Sequence, residues 1–263
     1  MDGTNTNQFR SADAFAELVH PLIPDFSDHQ IALVLRYRDL LHDRNQRVNL
    51  TAVRDFDGIE RRLILESLRL VSIVAERAGE GRIMDLGSGG GIPGIVLAIA
   101  MPDCDFTLLD ATGKKVKFQQ DVIDDLQLPN VRAVQGRAEE LAHDINWRNS
   151  FDVVSARAVT SLSALMELGL PFVSMKGWLV LPKGVEIDEE LDIALKAAGK
   201  LGGTIVSNEV MPDSDSEVDT RLILVRKDQA TPSIYPRRVG LPARSPLGSP
   251  QDKAESRRKR GSR

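Results

Sequence analysis

The feature that most constrains this chain is a glycine-rich turn that follows a short apolar strand. The strand, residues 82–84, leads into a turn with glycines at alternate positions, Gly87, Gly89 and Gly91, and Pro93 opens the next helix. Glycines at this spacing let the backbone turn tightly and bring its N–H groups close to a ligand. The pattern is typical of the first strand, turn and helix of a nucleotide-binding α/β sheet.

Two classes of cofactor compete for this turn. The spacing Gly89-x-Gly91-x-x-Gly94 satisfies the dinucleotide-binding pattern, but a single match of that pattern is weak. The dinucleotide fingerprint places its first glycine at the strand end, whereas Asp85 stands there in this chain. A carboxylate attracts the ammonium and sulfonium of S-adenosylmethionine and repels a diphosphate. The turn therefore favours S-adenosylmethionine.

From residue 82 onward, strand and helix patterns alternate. Strands are predicted at 82–86, 105–109, 131–135, 151–155, 177–181, 203–207 and 221–226, with helices at about 93–100, 114–127, 138–142, 161–170 and 188–198. This alternation predicts an α/β protein with a Rossmann-like class I methyltransferase fold, a seven-stranded, mostly parallel sheet flanked by helices. Right-handed crossovers then place the carboxyl ends of the strands along one edge, where ligands bind.

Composition divides the chain into four segments. Residues 1–26 are expected to form a flexible N-terminus. Residues 27–80 are expected to form a helical extension, with a Ser-x-x-Gln capping box at Ser27 and helices to about residue 42 and over about 58–78. Residues 81–230 are expected to form the cofactor-binding domain. Residues 231–263, rich in proline, serine and arginine, are predicted to be a basic, disordered tail.

Charge is distributed unevenly along the chain. The net charge is −4, but residues 237–263 hold nine basic and two acidic side chains, which gives this segment +7 and leaves −11 for the rest. A mobile basic segment is a common way to bind a polyanion such as RNA. A solvated tail without a partner is an equally good interpretation.

The cysteine and histidine content argues against disulfide-rich and metal-binding proteins. The single Cys104 excludes an internal disulfide framework and a cysteine-rich zinc site, which favours a reducing compartment. The four histidines lack metal-ligand spacing, and no apolar stretch approaches the roughly 20 residues of a membrane span. We expect a soluble, cytoplasmic protein with no metal.

Polar residues follow the first strands. Asp110 closes the second strand nineteen residues after Gly91, where an acid can bind a ribose diol or cap the next helix. Ala138 and Glu139 follow the third strand, where the carboxylate can reach an adenine amine or favour a helix N-terminus. Arg157 follows the fourth strand. Because arginine stays protonated it is no general base, so it would position groups, stabilise charge or form a structural ion pair.

The segment Ser155–Ala158 also restricts the methyl acceptor. Methylation of an exocyclic amine through an Asp/Asn-Pro-Pro-aromatic motif would require that motif here, and it is absent. Methylation of a pyrimidine carbon requires a cysteine nucleophile, but Cys104 precedes the second strand and is expected at the opposite edge of the sheet. An acceptor atom that already carries a free lone pair remains.

Six motifs occur in an order that resembles the bacterial 16S ribosomal RNA guanine-N7 methyltransferases, the glucose-inhibited division protein B (GidB) family. They are Asn49–Arg54, Asp85–Gly94, Leu108–Lys115, Ser155–Ala158, Leu181–Gly184 and Tyr235–Pro242. The resemblance extends from about residue 27 to about 247. It implies methyl transfer to N7 of a guanosine in the 530 loop of 16S ribosomal RNA, within the small subunit or an assembly intermediate. We expect the enzyme to be a monomer.

The resemblance also assigns roles to individual residues. By motif position it places cofactor contacts at Gly87, Ile92, Ala138, Glu139 and Arg157, and the general methyltransferase pattern adds Asp85, Gly89 and Asp110. Arg157 is the candidate catalytic residue, and the candidate RNA-binding residues are Arg54, Lys183, Arg237 and Arg238.

The chain departs from the family at one motif. Where the family commonly has Arg-His-Ile-x-Asp-Ser, this chain has Leu63 in place of the histidine and Glu66 in place of the aspartate. No essential role can therefore rest on that histidine here.

The implied chemistry agrees with the residues. Guanine N7 carries an unprotonated lone pair, so no proton must leave before it attacks the sulfonium methyl. Catalysis is then mainly the task of holding N7, methyl carbon and sulfur in line. Three alternatives stay open: a methyltransferase for a small molecule or another RNA, a dinucleotide-binding protein, and a non-catalytic RNA-binding factor.

Overall fold

A computed structural model describes residues 9–157, 160–184, 187–211 and 220–252. Its strands are β1 (Arg82–Leu86), β2 (Asp105–Asp110), β3 (Val131–Gln135), β4 (Phe151–Ser155), β5 (Val173–Gly184), β6 (Gly203–Val210) and β7 (Thr220–Lys227). They form a seven-stranded sheet in the order β3-β2-β1-β4-β5-β7-β6. Strand β7 is antiparallel to β5 and β6, and the β1–β2, β2–β3 and β4–β5 pairs are parallel. The predicted α/β fold is confirmed.

The helices flank these strands. They are α1 (Ala12–Val19), α2 (Asp28–Asn45), α3 (Phe56–Gly58), a π-helix (Ile59–Leu65), α4 (Glu66–Arg69), α5 (Val71–Ala78), α6 (Gly94–Ala100), α7 (Gly113–Leu126), α8 (Ala138–Leu141), α9 (Leu162–Gly169), α10 (Asp188–Leu201) and α11 (Leu241–Arg244). Among the residues that the structure describes, no helix is both long and apolar enough to cross a membrane.

The described chain divides into two compact units between Gln135 and Gly136. In the first unit, β1 and β2 pair from Arg82 opposite Asp105 to Leu86 opposite Leu109, so the two strands end at the same level. The glycine-rich turn and Asp110 follow directly from those two ends. The N-terminal helices belong to this unit, and the Gln30 side chain of α2 donates to the Ile99 carbonyl of α6 at 2.9 Å.

Two expectations for the N-terminal region are corrected. Residues 9–26 are not a flexible lead, because α1 buries Phe15 and Val19 and its N-cap hydroxyl, Ser11, accepts a hydrogen bond from the Ala14 N–H. Residues 1–8 lie outside the described residues. The single helix predicted over 58–78 is a succession of α3, the π-helix, α4 and α5.

The second unit contains β4 to β7 and the C-terminal segment. The segment from residue 231 to 252, expected to be a disordered tail, packs in this unit and buries Leu241, Pro242 and Leu247. It packs because it buries these apolar residues and because its Arg237 forms an ion pair with Glu167. The expected boundary at residue 231 is therefore wrong, and the remaining residues, 253–263, lie outside the described residues.

Candidate active site

The glycine-rich turn after β1 is tied to the end of β2. The N–H groups of Gly87 and Ser88 both donate to the Leu109 carbonyl, at 2.8 and 3.1 Å. The Gly89 N–H donates to the Asp110 carboxylate at 2.9 Å. Because each of these bonds joins the turn to β2, the backbone of the turn is held in one arrangement.

The turn leaves an open space at Gly87. This residue has a φ of +72°, a conformation that favours glycine, and a Cβ added there would meet no heavy atom within 4 Å. A ligand can therefore approach the backbone closely at Gly87.

Asp85 helps to shape the turn. The residue is fully buried, and its Oδ2 accepts hydrogen bonds from the Ser88 hydroxyl at 2.6 Å and from the Gly94 N–H at 3.0 Å. A carboxylate used in this way stabilises the start of α6. Its assignment as a cofactor contact stays a prediction.

Asp110 combines both roles considered for it. Its Oδ2 accepts the Gly89 N–H, and its Oδ1 accepts the Thr112 N–H at 2.8 Å, just before α7. The side chain is buried, with 7% of its surface exposed. Since a carboxylate oxygen has a second lone pair, these bonds leave acceptor capacity for a ribose diol.

Two residues that hold the turn were missed. The Tyr37 hydroxyl donates to the Gly90 carbonyl at 2.6 Å, and the Gln119 amide donates to the Gly89 carbonyl at 2.9 Å. Both side chains are fully buried. Burial, with a contribution from the charge of Asp85, raises the pKa of Tyr37 well above its ordinary value, so the hydroxyl keeps its proton.

The loop of residues 46–55 lies against the same turn. Both the Leu50 carbonyl and its Cβ lie near the glycines: a Cβ added at Gly89 would lie 3.5 Å from that carbonyl oxygen. Arg54 is exposed on this loop, and its guanidinium donates to the Asn49 side chain at 2.6 Å and to the Asn45 carbonyl at 3.3 Å. The candidate RNA contact Arg54 and the candidate cofactor turn are therefore neighbours within the first unit.

In the second unit, Ala138 and Glu139 begin α8 and are half-buried. Glu139 Oε1 accepts a hydrogen bond from the Gly240 N–H at 2.9 Å. The carboxylate that was assigned to the adenine amine is thus contacted by the C-terminal segment.

Arg157 follows β4, and Lys183 lies near the end of the neighbouring strand β5. Arg157 is half-buried two residues beyond Ser155, which is paired with Val180. The Lys183 ammonium donates to the Thr160 carbonyl at 2.7 Å and lies 3.6 Å from Glu190. Only 15% of the Lys183 side chain is exposed. Lys183 therefore anchors Thr160 in the segment after β4, and its assignment as an RNA contact stays a prediction.

The two arginines of the C-terminal motif have different surroundings. Arg237 forms an ion pair with the fully buried Glu167 at 2.7 Å and another with Asp252 at 2.8 Å. Its guanidinium is occupied inside the unit by these two carboxylates, and the assignment of Arg237 as an RNA contact stays a prediction. Arg238 is exposed and keeps that assignment.

One further predicted cofactor contact and the two positions that depart from the family motif are buried. Ile92 and the two residues that depart from the family, Leu63 and Glu66, each have less than a tenth of their surface exposed. A leucine suits such a position without a polar partner. In the part of the chain that the structure describes, no group of three or more His, Cys, Asp or Glu side chains could hold a metal ion.

Comparison with known proteins gives a consistent family. A family model described as "GidB: rRNA small subunit methyltransferase G" matches residues 30–212. The chain is 36% identical over 223 residues to "Ribosomal RNA small subunit methyltransferase G" of Clostridium novyi (strain NT), covering 85% of this chain and 91% of the relative. It is 38% identical over 218 residues to the protein of the same name from Moorella thermoacetica, covering 83% and 90%.

A solved structure supports the fold. The chain resembles a putative sarcosine dimethylglycine methyltransferase from Galdieria sulphuraria with a TM-score of 0.51 and 14% identity, over 66% of this chain and 89% of that one. At this identity the likeness concerns the fold alone.

Proposed function

Because this chain belongs to the GidB family of ribosomal RNA small subunit methyltransferases G, we propose that it methylates N7 of a guanosine in the 530 loop of 16S ribosomal RNA. Its cofactor is S-adenosylmethionine. The site residues and the acceptor atom argued below are part of the proposal.

The cofactor supplies an electrophilic methyl group on a sulfonium. In the first unit, Gly87 would receive its amino-acid end and Asp110 its ribose, since Gly87 offers open backbone and Asp110 retains acceptor capacity. In the second unit, Ala138 and Glu139 would bind the adenine. Asp85, Tyr37 and Gln119 would support the cofactor site by holding the turn in place.

The reaction needs no general base. The N7 lone pair forms the new bond to the methyl carbon while the carbon–sulfur bond breaks and its electron pair stays on sulfur. The positive charge passes from sulfur to the guanine ring, and no proton is transferred. The enzyme must align the three atoms, and Arg157, which stays protonated, would position the acceptor rather than remove a proton.

The observation that carries the proposal is the open backbone at Gly87 beside Asp110, in a chain whose fourth-strand motif is Ser155-Ala156-Arg157-Ala158. The first feature gives a cofactor access to the backbone of the turn. The second lacks the residues that amine or pyrimidine-carbon methylation would require. An acceptor with a free lone pair fits both.

The direct test is transfer of labelled methyl from S-adenosylmethionine to small ribosomal subunits that lack this modification, followed by nucleoside analysis. We expect label in 7-methylguanosine at one position of the 530 loop. Label in another nucleoside would refute the N7 assignment. Cofactor binding without label in RNA would refute the RNA acceptor and favour a small-molecule substrate. Binding of NAD in place of S-adenosylmethionine would favour a dinucleotide-binding protein.

A further inference from the structure

The C-terminal segment of residues 235–252, here called the C-terminal strap, is anchored to α9 through its own Arg237. The backbone N–H and the Nε of Arg237 both donate to Glu167 Oε1 at 2.8 Å, and Nη2 donates to Oε2 at 2.7 Å. Glu167 lies on α9 and is fully buried. A fork of this kind fixes orientation as well as distance, because both carboxylate oxygens are used.

The same guanidinium closes the strap on itself. Its Nη1 donates to Asp252 Oδ1 at 2.8 Å, and its Nη2 donates to the Ser245 carbonyl at 2.7 Å. Asp252 Oδ2 in turn accepts the Gly248 N–H at 3.1 Å. Arg237 therefore joins the beginning, middle and end of the strap to one buried carboxylate.

Three residues after Arg237, the strap contacts the candidate adenine-binding residue. Gly240 has a φ of +76°, and its N–H donates to Glu139 Oε1 at 2.9 Å. A Cβ added at Gly240 would meet no atom within 4 Å, so glycine is required here for its backbone conformation and not for space. No hydrogen bond to Glu139 Oε2 occurs among the described residues, which leaves that oxygen available as an acceptor.

We propose that Arg237 is a positioning residue for adenine recognition: it holds Gly240 so that the Gly240 N–H orients the Glu139 carboxylate toward the exocyclic amine of the cofactor. The inference rests on the proposed role of Glu139. It gives the strap a part in cofactor specificity, through a chain of contacts from Glu167 to Arg237, Gly240 and Glu139.

The test compares the binding of S-adenosylhomocysteine with that of S-inosylhomocysteine, in which a carbonyl oxygen replaces the adenine amine. A carboxylate that accepts from the amine meets an acceptor in the inosine compound, so the full-length protein should prefer the adenosine compound by about tenfold or more. Calorimetry gives both dissociation constants for each variant.

Two variants of the strap are compared with Glu139→Gln and with a control outside the strap. Arg237→Lys keeps the charge but loses the fork, and we expect the preference for the adenosine compound to fall several-fold, toward the value of Glu139→Gln. Gly240→Ala strains the backbone without a steric clash and should lower the preference in the same way, which covers the case of an Arg237→Lys protein that does not fold. The control is Arg226→Lys, an exposed arginine of β7 that pairs with Asp228.

The ratio of the two dissociation constants distinguishes a positioning role of Arg237 from a role in stability alone. If Arg237 has a merely structural role, its substitution weakens the binding of both compounds in proportion and leaves the ratio of dissociation constants unchanged. That result, together with a lowered ratio in Glu139→Gln, would overturn the inference. An unchanged ratio in Glu139→Gln would overturn it as well, because Glu139 would then not bind the amine. Failure of the unmodified protein to bind either compound would instead refute the cofactor site on which the proposed function rests.

Discussion

At the scale of single residues, close packing explains why the turn tolerates little change. Gly94 opens α6, where its N–H reaches Asp85. A Cβ added at Gly94 would overlap the Leu108 side chain and lie 2.8 Å from Asp85 Oδ2. The absence of a side chain at this position therefore lets the helix approach the strands beneath it.

Gly94→Ala is expected to lower the free energy of unfolding by about 1–3 kcal/mol, because the buried strand and Asp85 cannot move aside easily. Gly199→Ala is the matched control, since Gly199 lies in α10 and a Cβ there meets nothing within 4 Å. That change should be neutral or stabilise by about 0.5–1 kcal/mol. Denaturant unfolding measures both, and equal effects would contradict the packing argument.

Lys227 is a buried charge with three acceptors. Its ammonium donates to Asn149 Oδ1 at 2.6 Å and to the carbonyls of Leu170 and Val173 at 2.8 and 2.7 Å. Burial, with a smaller contribution from Arg148, lowers the pKa of Lys227 from 10.5 to about 8. Between pH 8 and 10.5 the unfolded chain therefore holds a proton that the folded chain has released.

Stability should consequently rise with pH across this window, by an amount on the order of 1–3 kcal/mol from Lys227 alone. The Lys227→Met variant lacks this titration. Unfolding free energies of both proteins at pH 7.5 and pH 10 give the difference, because all other groups are shared. A parallel pH dependence in the two proteins would show that Lys227 does not titrate in this window.

At the scale of elements, the loop of residues 46–55 depends on one buried side chain. Asn45 Oδ1 accepts the N–H groups of Leu50 and Thr51 at 3.0 and 3.1 Å, and its amide donates to the Val53 carbonyl at 2.9 Å. The end of α2 thus determines the path of the loop that lies against the glycine-rich turn.

Asn45→Ala should lower the free energy of unfolding by about 1–3 kcal/mol, since the Thr51 N–H and the Val53 carbonyl lose the partner that Asn45 gives them. Trypsin should also cut faster after Arg47 and Arg54, because the loop opens locally. Gln46→Ala changes the adjacent exposed residue and is the control. Equal cleavage rates in the two variants would argue against Asn45 as the organiser of the loop.

The exposed Arg54 on this loop is the RNA contact that we expect to matter most in the first unit. Arg54→Ala should lower kcat/KM for ribosomal RNA by about tenfold, the effect of losing a charge-assisted hydrogen bond worth about 1.5 kcal/mol. Cofactor affinity should not change. Arg36→Ala, which removes an exposed arginine paired with Asp125, is the control for lost charge. Unchanged turnover in Arg54→Ala would remove this residue from the RNA site.

At the scale of the whole molecule, the basic C-terminal sequence has two parts. The part up to Asp252 packs, and its Arg237 is neutralised by Glu167 and Asp252. The part beyond it carries six basic side chains and one acidic side chain: Lys253, Arg257, Arg258, Lys259, Arg260, Arg263 and Glu255. Any electrostatic attraction to RNA from this sequence should therefore come mostly from its last eleven residues.

A protein ending at Asp252 should unfold at the same denaturant concentration as the full chain but bind RNA with a shallower salt dependence, by about 0.7 in slope for each lost phosphate contact to single-stranded RNA. A protein ending at Thr231 should be destabilised by about 3–5 kcal/mol, since Glu167 is left buried without its partner. The same salt dependence in the full chain and the Asp252 protein would favour the solvated tail without a partner.

Local pattern was sufficient for much of the fold. The seven strands and the turn at Gly87 follow from residue periodicity and from glycine conformation, which are properties of short stretches of chain. Strand β5 is longer than predicted at both ends, and α1, a helix of eight residues within the segment expected to be flexible, was missed.

What the sequence by itself determined about this protein is the order of its elements, its family and the cofactor turn. Only the tertiary structure decided which charged and polar groups face inward. Arg237 and Glu167 are 70 residues apart, and Tyr37 and Gly90 are 53 apart, yet each pair is joined by a buried hydrogen bond or ion pair. Local pattern cannot specify such partners, because the choice depends on which elements pack together and on the cost of leaving a buried polar group unpaired.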